Sequence, residues 1–372
     1  MKIKRAFSVN PNEQKATTEI YSQIYQENIG VVLLFCSSNY NPQKLAQEIK
    51  NTFGNILVFA CTTAGEIGSN GYIKNGITAV SISANSASFS LVGIPNISEF
   101  DIEKSDKIVA AIKEKYANFS ITPNKFVGLL LIDGLSKLED KFIFNLSKSF
   151  YPMEIIGGSS GDDLKMDKTY VYHDGQFLSN FASLLIIESK VSFLTFKTHH
   201  FIPTDKKLIV TEANYNERIV YELNAEKAAV EYAKMLDLTV EELNNTIFAK
   251  HPLMIKVGYD WYVRAISKVN EDLSVSFLCS LDVGTVLTLA IGKNITTDLN
   301  EKITDLKNML GNISLIIAFD CILRRIEIES NNIEKDINDI FAKENFIGFS
   351  TYGEQCDSIH VNQTMTGIAF GL

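Results

Sequence analysis

Short apolar, β-branched-rich runs alternate along the chain with segments whose apolar residues recur at helical spacing, the pattern of βαβ architecture. Val31-Val32-Leu33-Leu34-Phe35 reads as a buried strand, and a helix begins at Pro42 with Leu45, Ile49 and Phe53 along one face. A second strand over 56–60 runs into Cys61-Thr62-Thr63-Ala64-Gly65-Glu66. The plan returns twice. A strand over 129–133, a helix over 137–150 and a strand from 154 lead into Gly157-Gly158-Ser159-Ser160-Gly161-Asp162-Asp163. A strand over 315–319, a helix over 332–341 and a strand over 346–349 lead into Ser350-Thr351-Tyr352-Gly353-Glu354. Each unit closes on small or hydroxyl residues, a glycine and a carboxylate. The interval from Ser37 to Gly65 equals that from Asp133 to Gly161, while that from Asp320 to Gly353 is longer, with extra residues around the helix.

Between these units lie antiparallel-looking strands over 77–83 with 88–94, then 169–173, 183–188 and 192–198. After Pro203 and a strand over 208–211, residues 214–216 read as a linker, followed by helices over 225–236 and 240–249. The expected division is residues 1–213 and 214–372, and the expected class is mixed α/β, with mixed sheets packed face to face and helices outside.

Composition narrows the function. The chain has 372 residues, 46% hydrophobic and 21% charged, which suits two folded domains or one elaborated one. Its formal net charge of −9 disfavours a nucleic-acid backbone or an anionic membrane surface as partner. No apolar run approaches the roughly 20 residues of a membrane helix, so membrane insertion is not expected. The basic start MKIKR leads into no apolar run and is not read as a signal peptide. Five scattered cysteines with no C-x-x-C pair argue against a disulfide framework or structural zinc, so a reducing, cytoplasmic setting is expected.

Parallel strands collect binding groups at their carboxyl ends, so the three turns are expected to share one rim. Thr62, Thr63, Ser159, Ser160 and Thr351 offer hydroxyls, with Asn362 and Gln363 as amides. Arg264 or Arg324 suits a ligand carboxylate, and Glu66, Asp162 or Glu354 an ammonium group. The plainer alternative is that the glycines serve turn geometry and the carboxylates cap backbone. Cys61 and Cys356 stand beside the turns, but cysteine is more often a small buried hydrophobe than a nucleophile. With neither an H-E-x-x-H motif nor a P-loop, the chain is not expected to be an enzyme.

Six short motifs, in order, resemble the FIST (F-box and intracellular signal transduction) family. They are Cys61–Ile67; Gly157–Asp163 with Thr169–Gly175; Pro203 with Val210-Thr211 and Tyr221-Glu222-Leu223; Tyr262-Val263-Arg264 with Ile266; Cys321-x-x-Arg324; and Tyr352-Gly353-Glu354 with Asn362-Gln363-Thr364. The resemblance implies FIST N-terminal and C-terminal domains and a sensory role with a small-molecule ligand, amino acids being one class. Some stand-alone members are haem proteins that sense nitric oxide and regulate a histidine kinase. A haem here would call on His200 or His173 as axial ligand. Because no kinase or transmitter segment is visible, the implied output is contact with a separate signalling partner. One departure concerns the histidine that family members often carry just before Asn-Gln-Thr: that place is Val361, and the histidine is His360.

Overall fold

The computed structural model describes residues 1–115 and 125–372. The inner strands lie where the sequence is continuously apolar. Ile29–Ser37, Phe126–Ile132 and Ile313–Cys321 are buried almost throughout, because each has a helical layer on one side and another sheet on the other. Each runs parallel to a second inner strand, Leu57–Thr63, Glu154–Ser159 or Phe346–Thr351. The intervening helices are Pro42–Phe53, Glu139–Phe150 and, in the third unit, Ile322–Ser330 followed by Glu334–Lys343. The extra helix explains the longer third interval and corrects the single helix expected over 332–341. Local chemistry sets the boundaries: Asn41 accepts from Lys44 N, Pro42 opens the helix, and Gly54, at φ 57°, ends it.

All three units repeat one larger plan: strand, helix, strand, helix, strand, hairpin, strand. The outer strands are Ile3–Ser8, Ala87–Pro95 and Phe193–Thr198, and the closing ones Ile77–Ser83, Phe181–Ser189 and Met365–Gly371. Strands 77–83 and 88–94 do not pair with each other as their short turn suggested. The first joins Ile3–Ser8 and Ile29–Ser37, whereas Ala87–Pro95 joins Phe181–Ser189 in another sheet, so that turn marks a unit boundary.

The hairpins tie the units into a ring. Val171–His173 pairs with Leu57–Thr63 of the first unit, and Glu354–Cys356 pairs with Glu154–Ser159 of the second. Glu66–Gly68 closes the circle on Phe346–Thr351 of the third. Three six-stranded sheets therefore surround one shared core containing Phe35, Phe59, Leu129, Ile156, Phe319 and Phe349. The helices cover the outer faces, each with its own apolar cluster.

Into the third unit, between Phe193–Thr198 and the helix Ile295–Leu310, is inserted a lobe. Its own sheet runs from Phe201–Asn214 to Val286–Gly292 and packs around Leu208, Tyr232, Phe248 and Leu287. Residues 214–216 belong to the turn between Phe201–Asn214 and Ile219–Leu223, which pair antiparallel, rather than to a linker. The helix expected over 240–249 divides into a 3-10 turn, Val240–Glu242, and Asn245–Lys250, because the Asn244 side chain caps the backbone of Thr246 and Ile247.

Candidate functional site

The three turns do converge, and they do so by direct contact. Ala64 N donates to Ser350 O at 3.0 Å, Gly161 N to Thr62 O at 3.0 Å, and Ser159 N to Gly353 O at 2.8 Å. Two corners are near copies. Thr63 Oγ1 donates to Glu66 Oε1 at 2.7 Å, and Gly76 N to Oε2 at 3.3 Å. Thr351 Oγ1 donates to Glu354 Oε1 at 2.5 Å, and Thr364 N to Oε2 at 3.2 Å. Burial pushes both carboxyls up to about 8, so each is largely protonated at neutral pH.

In the second unit the carboxylate comes from the other strand. Val171 occupies the hairpin position of Glu66 and Glu354, and Asp133 accepts from Asn180 N at 2.6 Å and from the Thr169 hydroxyl. Asp162, which spacing aligned with the two glutamates, instead accepts from Met166 N, Asp167 N and Lys168 N and from the Tyr352 hydroxyl. It folds the loop that follows Ser160. Ser160 itself donates to Ile132 O, and Thr62 accepts from Tyr170 N. The glycines differ as well. Gly65 has φ 124°, but Gly161 and Gly353 matter for close approach: a Cβ on Gly161 would lie 2.6 Å from Ala64 N, and one on Gly353 2.2 Å from His360 Cε1.

Arg324 is taken up by the ring. Its Nε donates to Asp320 Oδ1 at 2.7 Å, and Asp320 also accepts from the Tyr72 hydroxyl. Its Nη1 lies 3.3 Å from His200 Nδ1, while His200 Nε2 lies 2.8 Å from Glu327 Oε1. Both nitrogens of this buried imidazole are engaged, so His200 does not fit the role of a haem ligand. His173 fits no better. Its Nε2 edge faces Gly93, where a Cβ would approach to 2.7 Å, and its Nδ1 is buried. Among the described residues no group of three or more His, Cys, Asp or Glu is arranged to hold a metal ion. Burial raises the Cys61 thiol and pushes Cys356 up to about 12, which disfavours the thiolate a nucleophile needs.

At the seam between ring and lobe the chemistry is different. The lobe strand Asp260–Arg264 delivers buried Arg264 to the third unit's hairpin, where Nη1 donates to His360 O at 2.8 Å. Its Nε has no partner. Nearby, Gln355 Nε2 donates to Ser159 Oγ at 2.9 Å and approaches His360 Nδ1 at 3.4 Å, and His360 Nε2 faces Leu278 O at 3.3 Å. Burial lowers the His360 pKa, which favours the neutral ring. Gln355 Oε1, Asn362 Oδ1 and Gln363 Oε1 are also buried without partners, although Gln363 Nε2 donates to Ala249 O at 2.9 Å. Such groups cost stability unless something completes them.

Beside them opens a cleft of about 250 Å³ lined by Arg264, His360, Asp140, Tyr215, Ser280 and Asp282, among others. Its base is tied down by Arg218, whose Nη2 lies 2.6 Å from Glu139 and 3.0 Å from Asp140 at the start of a ring helix. Of the residues expected to share a site, Ser159, Arg264, Asn362 and Gln363 gather at or near this seam, whereas Thr62, Thr63, Glu66, Ser160, Thr351 and Glu354 stay in the corners. Asp140, Tyr215, Ser280, Asp282 and Gln355 carried no motif. Only the displaced His360 pointed toward them.

The chain thus combines a ring of repeated units, an inserted lobe and a polar cleft between the two. Residues 30–226 match the FIST N domain and residues 228–357 the FIST C domain. The chain belongs to the FIST family, whose domains are sensory, signal-transduction modules and not a known enzyme family. The two matches meet inside the lobe. An uncharacterized protein of Methanocaldococcus jannaschii is 23% identical over 407 residues, covering 97% of this chain and 78% of that protein. Among the described residues no helix is long and apolar enough to cross a membrane.

Proposed function

We propose that this chain senses a small, amino-acid-like molecule in the cleft between ring and lobe and signals by contact to a separate protein, a histidine kinase being the expected type. The observation that carries the reading is buried Arg264, which keeps an unpaired Nε beside an open cleft that also contains Asp140 and Asp282. A guanidinium suits a carboxylate, and Asp282 suits an ammonium group, Asp140 being paired with Arg218 already. The unpaired amide oxygens of Gln355 and Asn362 lie behind them. Because the cleft is formed by both ring and lobe, occupancy favours one arrangement of the two over others. The geometry of His200 and His173 gives a haem-based reading no support.

The test is a thermal-shift and calorimetry panel of amino acids and related small acids. A ligand at about 100 times its dissociation constant adds about 2.7 kcal/mol to stability. Arg264→Ala is expected to abolish that gain while the protein stays folded. A panel in which nothing moves the transition, or a gain that survives Arg264→Ala, counts against this site.

A further inference from the structure

The ring contains an internal control for its own surface. The exchanged hairpins pair through Val171 with Cys61, Glu354 with Gly158 and Glu66 with Phe349, so Lys50, Ser147 and Asn338, each 11 residues before the paired strand residue, share one position on the preceding helices. Each latches the next unit's hairpin. Lys50 Nζ reaches Asp174 at 2.6 Å, Ser147 Oγ donates to Asp357 O, and Asn338 Oδ1 accepts from Tyr72 N at 2.8 Å. On either side of the latch the first and third units carry Gln47 with Gly54, and Lys335 with Ala342. The second unit carries Phe144 and Tyr151 at the same places, 57% and 80% exposed. Polar or small residues suit these outward positions; two exposed aromatics two helical turns apart do not, unless something covers them.

The aromatics rim a groove of about 690 Å³ between the helix Glu139–Phe150 and the hairpin turn at Asp357-Ser358. One wall bears Lys148 and the other Asp357, and neither has an ion-pair partner among the described residues; Glu154, which also lines the groove, accepts from Thr195 Oγ1 at 2.6 Å. We infer that this face is a self-association surface, occupied by a second copy of the chain. A two-fold axis along the groove sets each helix wall against the other copy's hairpin wall. Tyr151 then enters the facing groove and Lys148 faces Asp357 of the second copy, so one contact satisfies the knob, the groove and both charges. The inference is independent of the cleft's ligand.

Sedimentation velocity and native mass spectrometry of the full chain at micromolar concentration test it. The wild type is expected to be a dimer, and Tyr151→Asp to weaken association roughly thirtyfold or more, as loss of a central aromatic anchor does. Lys148→Glu and Asp357→Lys each weaken it, and together they restore it. Lys148 and Asp357 are exposed, so circular dichroism spectra matching the wild type confirm that the variants fold. A wild type that remains monomeric, or a dimer indifferent to Tyr151→Asp and to the charge reversals, overturns the inference.

Discussion

At the ring corners Glu66 and Glu354 each find hydroxyl or backbone donors within 3.3 Å, whereas at the lobe seam Arg264, Gln355, Asn362 and Gln363 each leave a buried polar atom unpaired. Both regions are polar and enclosed, and both drew attention in the sequence. They differ in origin. The corners arise from a repeated plan, in which the same threonine and glutamate close the same turn in two units. The seam arises where the repeat is interrupted by the lobe. An unpaired buried group costs about 1–3 kcal/mol, so a cluster of them marks a place not finished by the chain's own residues. Repetition here builds the frame, and its interruption builds the cleft.

The largest expected effect lies in the ring, where Arg324 leaves Nη2 unpaired but holds Asp320 through Nε. Arg324→Ala leaves Asp320 buried without its counterion and is expected to cost about 3–5 kcal/mol in urea unfolding. A cost below about 1 kcal/mol, the range of ordinary surface changes, would remove Arg324 from the frame.

Acidity gives the next effect. The Glu66 and Glu354 carboxyls titrate near 8 when folded, against an ordinary value of 4.5, so the folded chain holds two extra protons between those limits. Their stabilisation is complete below pH 4.5 and is lost as pH rises through 8. The slope approaches about 1.4 kcal/mol per pH unit for each carboxyl. Glu66→Gln with Glu354→Gln should flatten the profile; a double variant whose profile matches the wild type would show that the corners are not protonated.

The equivalence of the two corners is itself testable. Thr63→Val is expected to cost about 1–2 kcal/mol and Thr351→Val less, because Glu354 keeps a second hydroxyl donor, Thr364 Oγ1 at 2.8 Å, whereas Glu66 keeps only the Gly76 N–H. Equal costs would mean that the additional Thr364 hydroxyl does nothing for Glu354. The smallest stability effect is expected at the seam. Arg264→Ala should change unfolding by about 1 kcal/mol or less while abolishing any ligand-induced shift. If it destabilises the protein as much as Arg324→Ala does, the distinction between frame and site fails.

Much of the ring was legible because its signals are local. The buried run at Val31–Phe35, Pro42 at a helix start and the spacing of Leu45, Ile49 and Phe53 each report structure within a few residues of themselves. The seam was legible only in part. Arg264 stood out as a guanidinium in a family-like motif, but Asp140 lies in an ordinary first turn of a helix and Tyr215 in a turn. Spacing misled at Asp162, because a loop inserted after Ser160 places a different carboxylate, Asp133, beside the hairpin of that unit.

The chain's pattern by itself determined three strand–helix–strand units and their hydroxyl-rich turns, since apolar periodicity and capping act over short distances. Tertiary structure alone decided that the units form a ring through exchanged hairpins and that the lobe interrupts the third. It also decided which polar groups are paired and which are left facing a cleft. The reason is physical: a hydrogen bond between residues a hundred or more positions apart depends on sheet register and packing, which no local stretch encodes.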